Sequence, residues 1–338
     1  MADNVNTIAD IARLAGVSKS TVSRALNDSP LIGAETKERI RALARDHDFR
    51  INVPARRLSL KQSHAVALVS YAYTANSAVP DAFMLEIMSG VSTALHENDY
   101  DLLVIHVTRT DTEWVPRYLE SGRVDGFILL SGMCTRRQLD SLAAAKAPFV
   151  MWGFPPGGGT GYCSVTGDSV TGGKIATAYL LESGRSRVAF LGGPAQEPEV
   201  QDRFRGYSEA LREAGHDVDP ALVVNASWHD PDASSAAAIR ELLDGAPDLD
   251  AVFANSDLLA IGAIAALRGA GRSVPEDVAV IGYDDISIAR FSSPPLTTVR
   301  QDGPLAGRLL AENLIQHLRT GVVTNVSIPA ELVVRESA

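Results

Sequence analysis

From residue 65 onward the chain alternates short apolar runs with amphipathic stretches, and this pattern limits the fold more than any other feature. The apolar runs are AVALVSYA, DLLVIHV, DGFILLSG, FVMWG, RVAFLGG, AVFANS and VAVIGYDD. Helical stretches fall near 83–98, 111–121, 135–145, 169–184, 199–214, 232–244, 257–270 and 304–320. Strand and helix in strict alternation imply parallel sheets joined by right-handed crossovers. Roughly 270 residues of this pattern exceed one open sheet, so the expectation is two doubly wound α/β lobes with a cleft between them.

The first 62 residues differ. They hold 11 Lys and Arg against 7 Asp and Glu, a charge of +4, and since the whole chain carries −10 the remainder carries −14. A basic head on an acidic body favours a polyanion at the head and disfavours non-specific contact elsewhere. Hydrophobic content of 46% with 21% charged residues suits a globular chain of 338 residues. No apolar run approaches the roughly 18 residues of a membrane span, and MADNVNTIADIARLAG lacks the basic and apolar regions of a secretory signal. Cys134 and Cys163 lie far apart without metal-ligand spacing, so a reduced, cytoplasmic protein is expected.

Within the head, Thr7 is placed to cap a helix whose apolar face is Ile8, Ile11, Ala12, Leu14 and Ala15. Gly16 permits the left-handed turn that ends it, and Ser18 caps the next helix. At about 100° per residue with Lys19 at zero, Ser23, Asn27, Ser20 and Arg24 fall at roughly 40°, 80°, 100° and 140°. Ala25, Val22 and Leu26 fall at roughly 240°, 300° and 340°. One face is small and apolar. The other holds only hydroxyls, an amide and cations, a set suited to phosphates and base edges. Helix, tight glycine turn and helix make a helix-turn-helix, with a third helix from about Ala34 to Asp46. A generic three-helix bundle is the alternative.

TIADIARLAGVSKSTVSRALN resembles the DNA-binding head of the LacI/GalR family of bacterial transcription regulators, and the likeness continues through ETKERIRALARDHDFRIN and ARRLSLKQS. The resemblance implies a sequence-specific DNA-binding regulator in three parts: a helix-turn-helix head at 1–49, a hinge helix at 50–62 and an effector-binding, dimerising core at 63–338. It implies DNA contacts from Thr7, Ile8, Ser18, Lys19, Ser20, Thr21, Ser23, Arg24, Asn27 and Thr36, with Lys19 and Ser20 as variable base readers. Gly33 stands where relatives usually carry a capping serine.

RINVPARRLSLKQ is basic, and Pro54 suits the first turn of a helix too short to persist alone. A plain flexible linker is the alternative. In the family such hinge helices enter the minor groove in pairs, with a leucine wedged into the central step. Leu58 matches that wedge, Ala55 the close approach and Asn52 a polar contact, while Ile51 stands where proline is frequent.

The core resembles the family's periplasmic-binding-protein-like fold, whose chain crosses between lobes three times. These crossings are expected near 162–165, 289–292 and 322–326, giving a first lobe of about 63–163 and 291–324 and a second of about 164–290 and 325–338. Open α/β sheets bind ligands beyond their strands' carboxyl ends. Asp284 and Asp285, Ser256 and Asp257, Asp168 and Arg203 fall at such positions. Carboxylates accept from sugar hydroxyls, a guanidinium donates to them, and aromatic rings stack on sugar C–H faces. Tyr73, Trp152, Phe154 and Trp228 are the aromatic candidates, each open to simple packing instead. The resemblance singles out Arg203 and Asp284 as effector contacts. Asp257 is placed either to cap its helix or to touch ligand, and Asp168 likewise. Ser256 replaces a frequent asparagine and Gly303 a frequent pocket aromatic, which suggests room for a disaccharide or glycoside.

Other readings fail. GDSVTGGKI has an extra glycine before Lys174 and an isoleucine where a P-loop places Ser or Thr, and PPGGGTG lacks the dinucleotide fingerprint. Neither HExxH nor GxSxG occurs, so no enzyme, cofactor or metal is expected. A transport-associated sugar-binding protein is the rival; it needs a signal peptide and lacks the head. The expected partners are palindromic operator DNA, a sugar that relieves repression, and a second copy paired through the first lobe around 81–98, with no membrane. No heptads follow LVVRESA to build a tetramer.

Overall fold

The computed structural model describes residues 7–26, 28–47, 49, 62–71, 82–108, 111, 113–130, 134–154, 162–228 and 230–338. By contacts the chain divides into Met1–Ser63 and His64–Ala338.

Among the described residues the first unit contains three helices: α1 (Ile8–Ala15), α2 (Lys19–Leu26) and α3 (Ala34–Asp46). Thr7 and Asp10 form a capping box at the start of α1, and Gly16, at φ 63°, ends it with its N–H on Ala12 and Arg13 carbonyls. The core is Ile11, Ala12, Ala15, Val22, Ala25 and Ile40, with Ile8, Val17, Leu26, Leu43 and Phe49 packed around it. The small residues let three short helices approach closely. Gly33 starts α3 with no side-chain cap.

The second unit has two six-stranded sheets. Its first lobe runs β1 (Ala65–Tyr71), α4 (Ala82–Glu97), β2 (Asp101–Val107), α5 (Trp114–Leu119), β3 (Gly126–Leu130), α6 (Arg136–Ala144), β4 (Phe149–Trp152) and β5 (Ser164–Gly167). The second lobe runs α7 (Ser169–Glu182), β6 (Val188–Gly192), α8 (Pro198–Glu213), β7 (Val223–Asn225), α9 (Pro231–Gly245), β8 (Ala251–Ala254), α10 (Asp257–Gly269), β9 (Ala279–Asp284) and β10 (Thr297–Arg300). The chain then returns through α11 (Gly303–Thr320) and β11 (Val326–Ile328), and ends on β12 (Glu331–Val333). The sheet orders are β11-β5-β4-β3-β1-β2 and β12-β10-β9-β8-β6-β7, parallel except for β12 against β10.

The three crossings lie later than expected. β5 pairs with β4 and β11 in the first sheet, so the chain leaves that lobe at Asp168 rather than at 162–165. β10 pairs with β9, which moves the return from 289–292 to just after Arg300. β11 pairs with β5, so the last crossing follows Ile328 rather than 322–326. The expected lobe limits are corrected accordingly. β5, β10 and β11 span only three or four residues and are rich in Ser and Thr, so no apolar run announced them.

Both faces of each sheet are covered, and close helix pairs make this possible. A Cβ on Gly173 of α7 would lie 2.2 Å from the Arg203 carbonyl oxygen of α8, and one on Gly206 would lie 2.0 Å from that of Val170. Gly173 of GDSVTGGKI therefore serves helix packing. Gly307 of α11 meets Ile87 of α4 in the same way.

Each sheet has a point where strand order reverses, between β1 and β3 and between β6 and β8. Ligands of open α/β sheets lie beyond the carboxyl ends at such points. In the first lobe the segments following β1, β3 and β4, at 72–81, 131–133 and 155–161, lie outside the described residues. In the second lobe the corresponding segments are described.

Candidate functional sites

In the head, the Ser18 hydroxyl oxygen accepts from the Thr21 N–H at 3.1 Å and lies 2.8 Å from the hydroxyls of Ser20 and Thr21. This turn fixes the first residues of α2. Val22 and Ala25 are fully buried, which leaves Lys19, Ser20 and Arg24 exposed and Thr21 and Ser23 half-buried on the other side. Three cations of α3 are internally paired: Lys37 and Arg41 both reach Asp28, at 2.9 and 2.8 Å, and Arg45 reaches Glu38 at 2.7 Å, while Arg39 donates to the Ala15 carbonyl at 3.1 Å. Among the described residues, Lys19 and Arg24 of α2 make no ion pair, and neither does Arg39 of α3, so α2 contributes two cations that no carboxylate neutralises. Thr7 spends its hydroxyl on the capping box. Ile8 packs on the core, so the group it has for a phosphate is its backbone N–H at the helix start. Thr36 is half-buried in the first turn of α3. Asn27, Asn52, Ala55 and Leu58 lie outside the described residues.

In the second lobe, polar groups converge at the carboxyl ends of β6, β8 and β9. Arg203, on the inner face of α8, is 6% exposed. Its guanidinium lies over the Tyr283 ring at 3.7 Å, donates to the Asn255 carbonyl at 2.5 Å and faces an Asp284 carboxylate oxygen at 3.8 Å. That same oxygen accepts from Gln301 Nε2 at 2.7 Å. Asp284 and Asp285 both adopt positive φ, 111° and 55°, a rare pair for residues other than glycine. Interactions on each side hold this turn. Asp285 accepts from Arg300 at 2.8 Å and Arg335 at 2.5 Å, which makes it an internal anchor.

Asp168 caps α7, its carboxylate accepting from the Thr171 N–H at 3.1 Å, and remains half-exposed. Burial, with the charge of Asp168 adding, pushes the Asp202 carboxyl above its usual range, against the lowering effect of Arg205 and Arg203. The cap of α10 is Ser256, which accepts from the Leu259 N–H at 3.3 Å. Asp257 therefore does not cap. It is fully buried, and its oxygens accept from the Thr298 hydroxyl at 2.5 Å and the Ile286 N–H at 2.8 Å. It braces β10 and the 284–286 turn against α10, which corrects its assignment as an effector contact. Burial, with Asp284 adding, raises its pKa well above the carboxylate range.

Trp152 packs in the first-lobe core with its ring 5.5 Å from Phe83. Trp228 is 38% exposed, and a Cβ on Gly193, just after β6, would lie 2.6 Å from its indole. Phe154 is half-buried, and Tyr73 lies outside the described residues. Gly303 leaves no ligand space: a Cβ there would lie 2.9 Å from the Glu86 Cβ and 3.4 Å from the Phe83 ring. Glu86 in turn joins the lobes, one carboxylate oxygen accepting from both the N–H and the hydroxyl of Ser287 at 2.9 Å. Ile286 packs into the first-lobe core beside this contact.

Asn255, Gln301 and Glu86 escaped the sequence. Asn255 ends an apolar strand run and was legible from that position. Gln301 follows a strand that was not recognised. Glu86 acts through a residue 201 positions away, a separation that no local pattern conveys.

Residues 7–52 match the description "Bacterial regulatory proteins, lacI family" and residues 177–338 that of a periplasmic binding protein-like domain. The chain is 37% identical over 339 residues to the HTH-type transcriptional regulator CelR of Thermobifida fusca, covering 98% of each. It is 33% identical over 319 residues to the ribose operon repressor of Escherichia coli K12, covering 92% of this chain and 93% of that one. A structure of a CelR–cellobiose complex superimposes with a TM-score of 0.74 at 35% identity, covering 98% and 99% of the two chains. A helix-turn-helix unit joined to a two-lobed α/β core defines a class of DNA-binding regulators. The chain belongs to that class as a member of the lacI family of bacterial regulatory proteins. Among the described residues no helix is long and apolar enough to cross a membrane, and no cluster of His, Cys, Asp and Glu is arranged for a metal ion.

Proposed function

We propose that this regulator is a homodimeric, cytoplasmic repressor of carbohydrate-utilisation genes, released from a palindromic operator when a sugar binds between its lobes. The observation that carries this is the Arg203–Asp284 pair, a buried guanidinium and a carboxylate 3.8 Å apart at the carboxyl ends of the second sheet. With Asp168 and Asp202 nearby the site is net acidic, which favours an uncharged, hydroxyl-rich ligand over a phosphorylated one. Trp228 is the exposed ring on which a sugar face stacks. A disaccharide is the effector class, and cellobiose is the first compound to try because it occupies a similar protein.

Lys19, Ser20, Thr21, Ser23, Arg24 and Asn27 read the operator, the backbones at Thr7, Ile8, Ser18 and Thr36 take phosphates, and Asn52, Ala55 and Leu58 engage the minor groove. Dimerisation uses α4 and the β2 edge, where Leu85 is 44% and Val104 43% exposed. Sugar binding shifts the lobes, and with them the spacing of the two hinges; a differential affinity of about 1–3 kcal/mol is enough. Fluorescence anisotropy of operator duplex, titrated with and without a mono- and disaccharide panel, tests this. Weaker DNA binding with one sugar supports it, and tighter binding reverses the sign to co-repression.

A further inference from the structure

Among the described residues, five buried polar atoms around Arg203 have no hydrogen-bond partner: Arg203 Nε, both side-chain amide atoms of Asn255, Glu199 Oε1 and the Tyr283 hydroxyl. Asn255 is the most demanding of these. It is fully buried, and an amide with neither its donor nor its acceptor matched costs about 1–3 kcal/mol per group.

Its placement explains what such an amide is for. Asn255 follows β8, and its N–H donates to the Leu191 carbonyl of β6 at 2.8 Å, so it sits at the reversal of strand order in the second sheet. Along β8, Val252 and Ala254 face one core, while Ala251 and Phe253 face the other, which also contains Tyr283 and Tyr207. Alternation puts Asn255 on the Phe253 side. That is the side from which Arg203 reaches its carbonyl. Glu199 lies one turn before Arg203 on the same face of α8.

We infer that Asn255 is a specificity-determining effector contact, its amide taking a hydroxyl of a neutral vicinal diol with Arg203 and Glu199 completing the set. Beside the Tyr283 hydroxyl, which can donate or accept, the unmatched atoms comprise two donors, Arg203 Nε and Asn255 Nδ2, and two acceptors, Asn255 Oδ1 and Glu199 Oε1. Two hydroxyls, each donating once and accepting once, match those four atoms, and with Asp284 already facing Arg203 the site has no excess positive charge to hold an anion. An anion leaves both acceptors unmatched, and a deoxy sugar leaves an amide atom unmatched. This assignment rests on the sugar-effector proposal above and adds to it the residue that discriminates among sugars.

Isothermal titration of full-length protein with cellobiose and the rest of the panel tests it, in wild type, Asn255→Ala and Asn255→Asp. The aspartate keeps the shape and exchanges the donor for an acceptor. The expected result is a 10- to 100-fold rise in Kd in both variants, about the worth of one or two unmatched buried groups. The sugar-free melting temperature of Asn255→Ala and the sugar-free operator affinity of both variants stay at or above wild type. If the wild type binds a sugar and both variants bind it unchanged, the amide is an internal group and the inference alone fails. If the wild type binds no sugar of the panel, the effector proposal fails and this inference with it.

Discussion

The head and the second lobe arrive at binding surfaces by opposite routes. In the head the surface is one helix, α2, with Val22 and Ala25 buried and Lys19, Ser20 and Arg24 exposed a residue or two away. In the second lobe the candidate site gathers Asp168, Asn255, Asp284 and Gln301, each at the end of a different strand, and Arg203 from the second turn of α8, across more than 130 positions. The head leaves cations unpaired at its surface, where counterion release favours phosphate. The lobe buries one cation against a carboxylate, where water is excluded and geometry selects the ligand. A sequence window captures the first kind of site whole and the second only in fragments.

If that contrast holds, substitutions in each region have separable effects. The largest belongs to the head. Arg24→Ala is expected to weaken operator binding at least about 30-fold, since a lost base or phosphate pairing of about 1–3 kcal/mol counts twice in a symmetric dimer. Calorimetry with sugar is expected to find effector affinity unaltered; a loss of both merges the two surfaces into one. Next comes Arg203→Ala, expected to weaken sugar binding about 100-fold while operator affinity without sugar stays intact. A normal sugar response in this variant misplaces the pocket.

Stability effects rank below these. Asp257→Ala leaves the Thr298 hydroxyl and Ile286 N–H unmatched in the interior, at a cost on the order of 2–4 kcal/mol in chemical denaturation. The native pKa of Asp257 is raised by burial, so its contribution is fully present below the carboxylate's ordinary value and is lost as pH rises through the raised one. Asp257→Asn is therefore expected to flatten the fall in stability from acid toward neutral pH, and a parallel curve contradicts its buried state. The smallest effect is the contact between lobes. A double-mutant cycle of Glu86→Ala and Ser287→Ala is expected to give a coupling of about 0.5–1 kcal/mol, and zero coupling removes this contact from the path between the lobes.

The same contrast accounts for what the sequence disclosed. The helix-turn-helix was readable because Thr7, Gly16 and Ser18 act on neighbours within three residues, through caps and a left-handed turn. Six of the seven apolar runs were readable as strands because they are buried on both faces, and DLLVIHV, half-exposed at the sheet edge, because its apolar run is long. β10 and β11 were not, because Thr297–Arg300 and Val326–Ile328 owe their strand form to partners in the sheet. This displaced the second and third crossings, and unrecognised β5 displaced the first. Arg203 and Asp284 were reached through the resemblance, but their pairing depends on the 284–285 turn, which Arg300, Arg335 and Gln301 hold from a distance. Asp257 was misassigned for the same reason: its place beside Ser256 suggested a cap, while Thr298, 41 positions away, decided its role.

The central claim is that one chain couples a cationic helix on DNA to a neutral sugar held at Arg203. It is tested most directly by anisotropy of a fluorescent operator duplex, selected with the full-length protein, titrated with wild type and Arg203→Ala in the presence and absence of the panel sugar that calorimetry shows to bind. The account predicts that the sugar weakens wild-type operator binding at least about fivefold, corresponding to a coupling near 1 kcal/mol, and has no effect on Arg203→Ala. Identical curves for the wild type with and without that sugar, or an equal response from both proteins, contradict it.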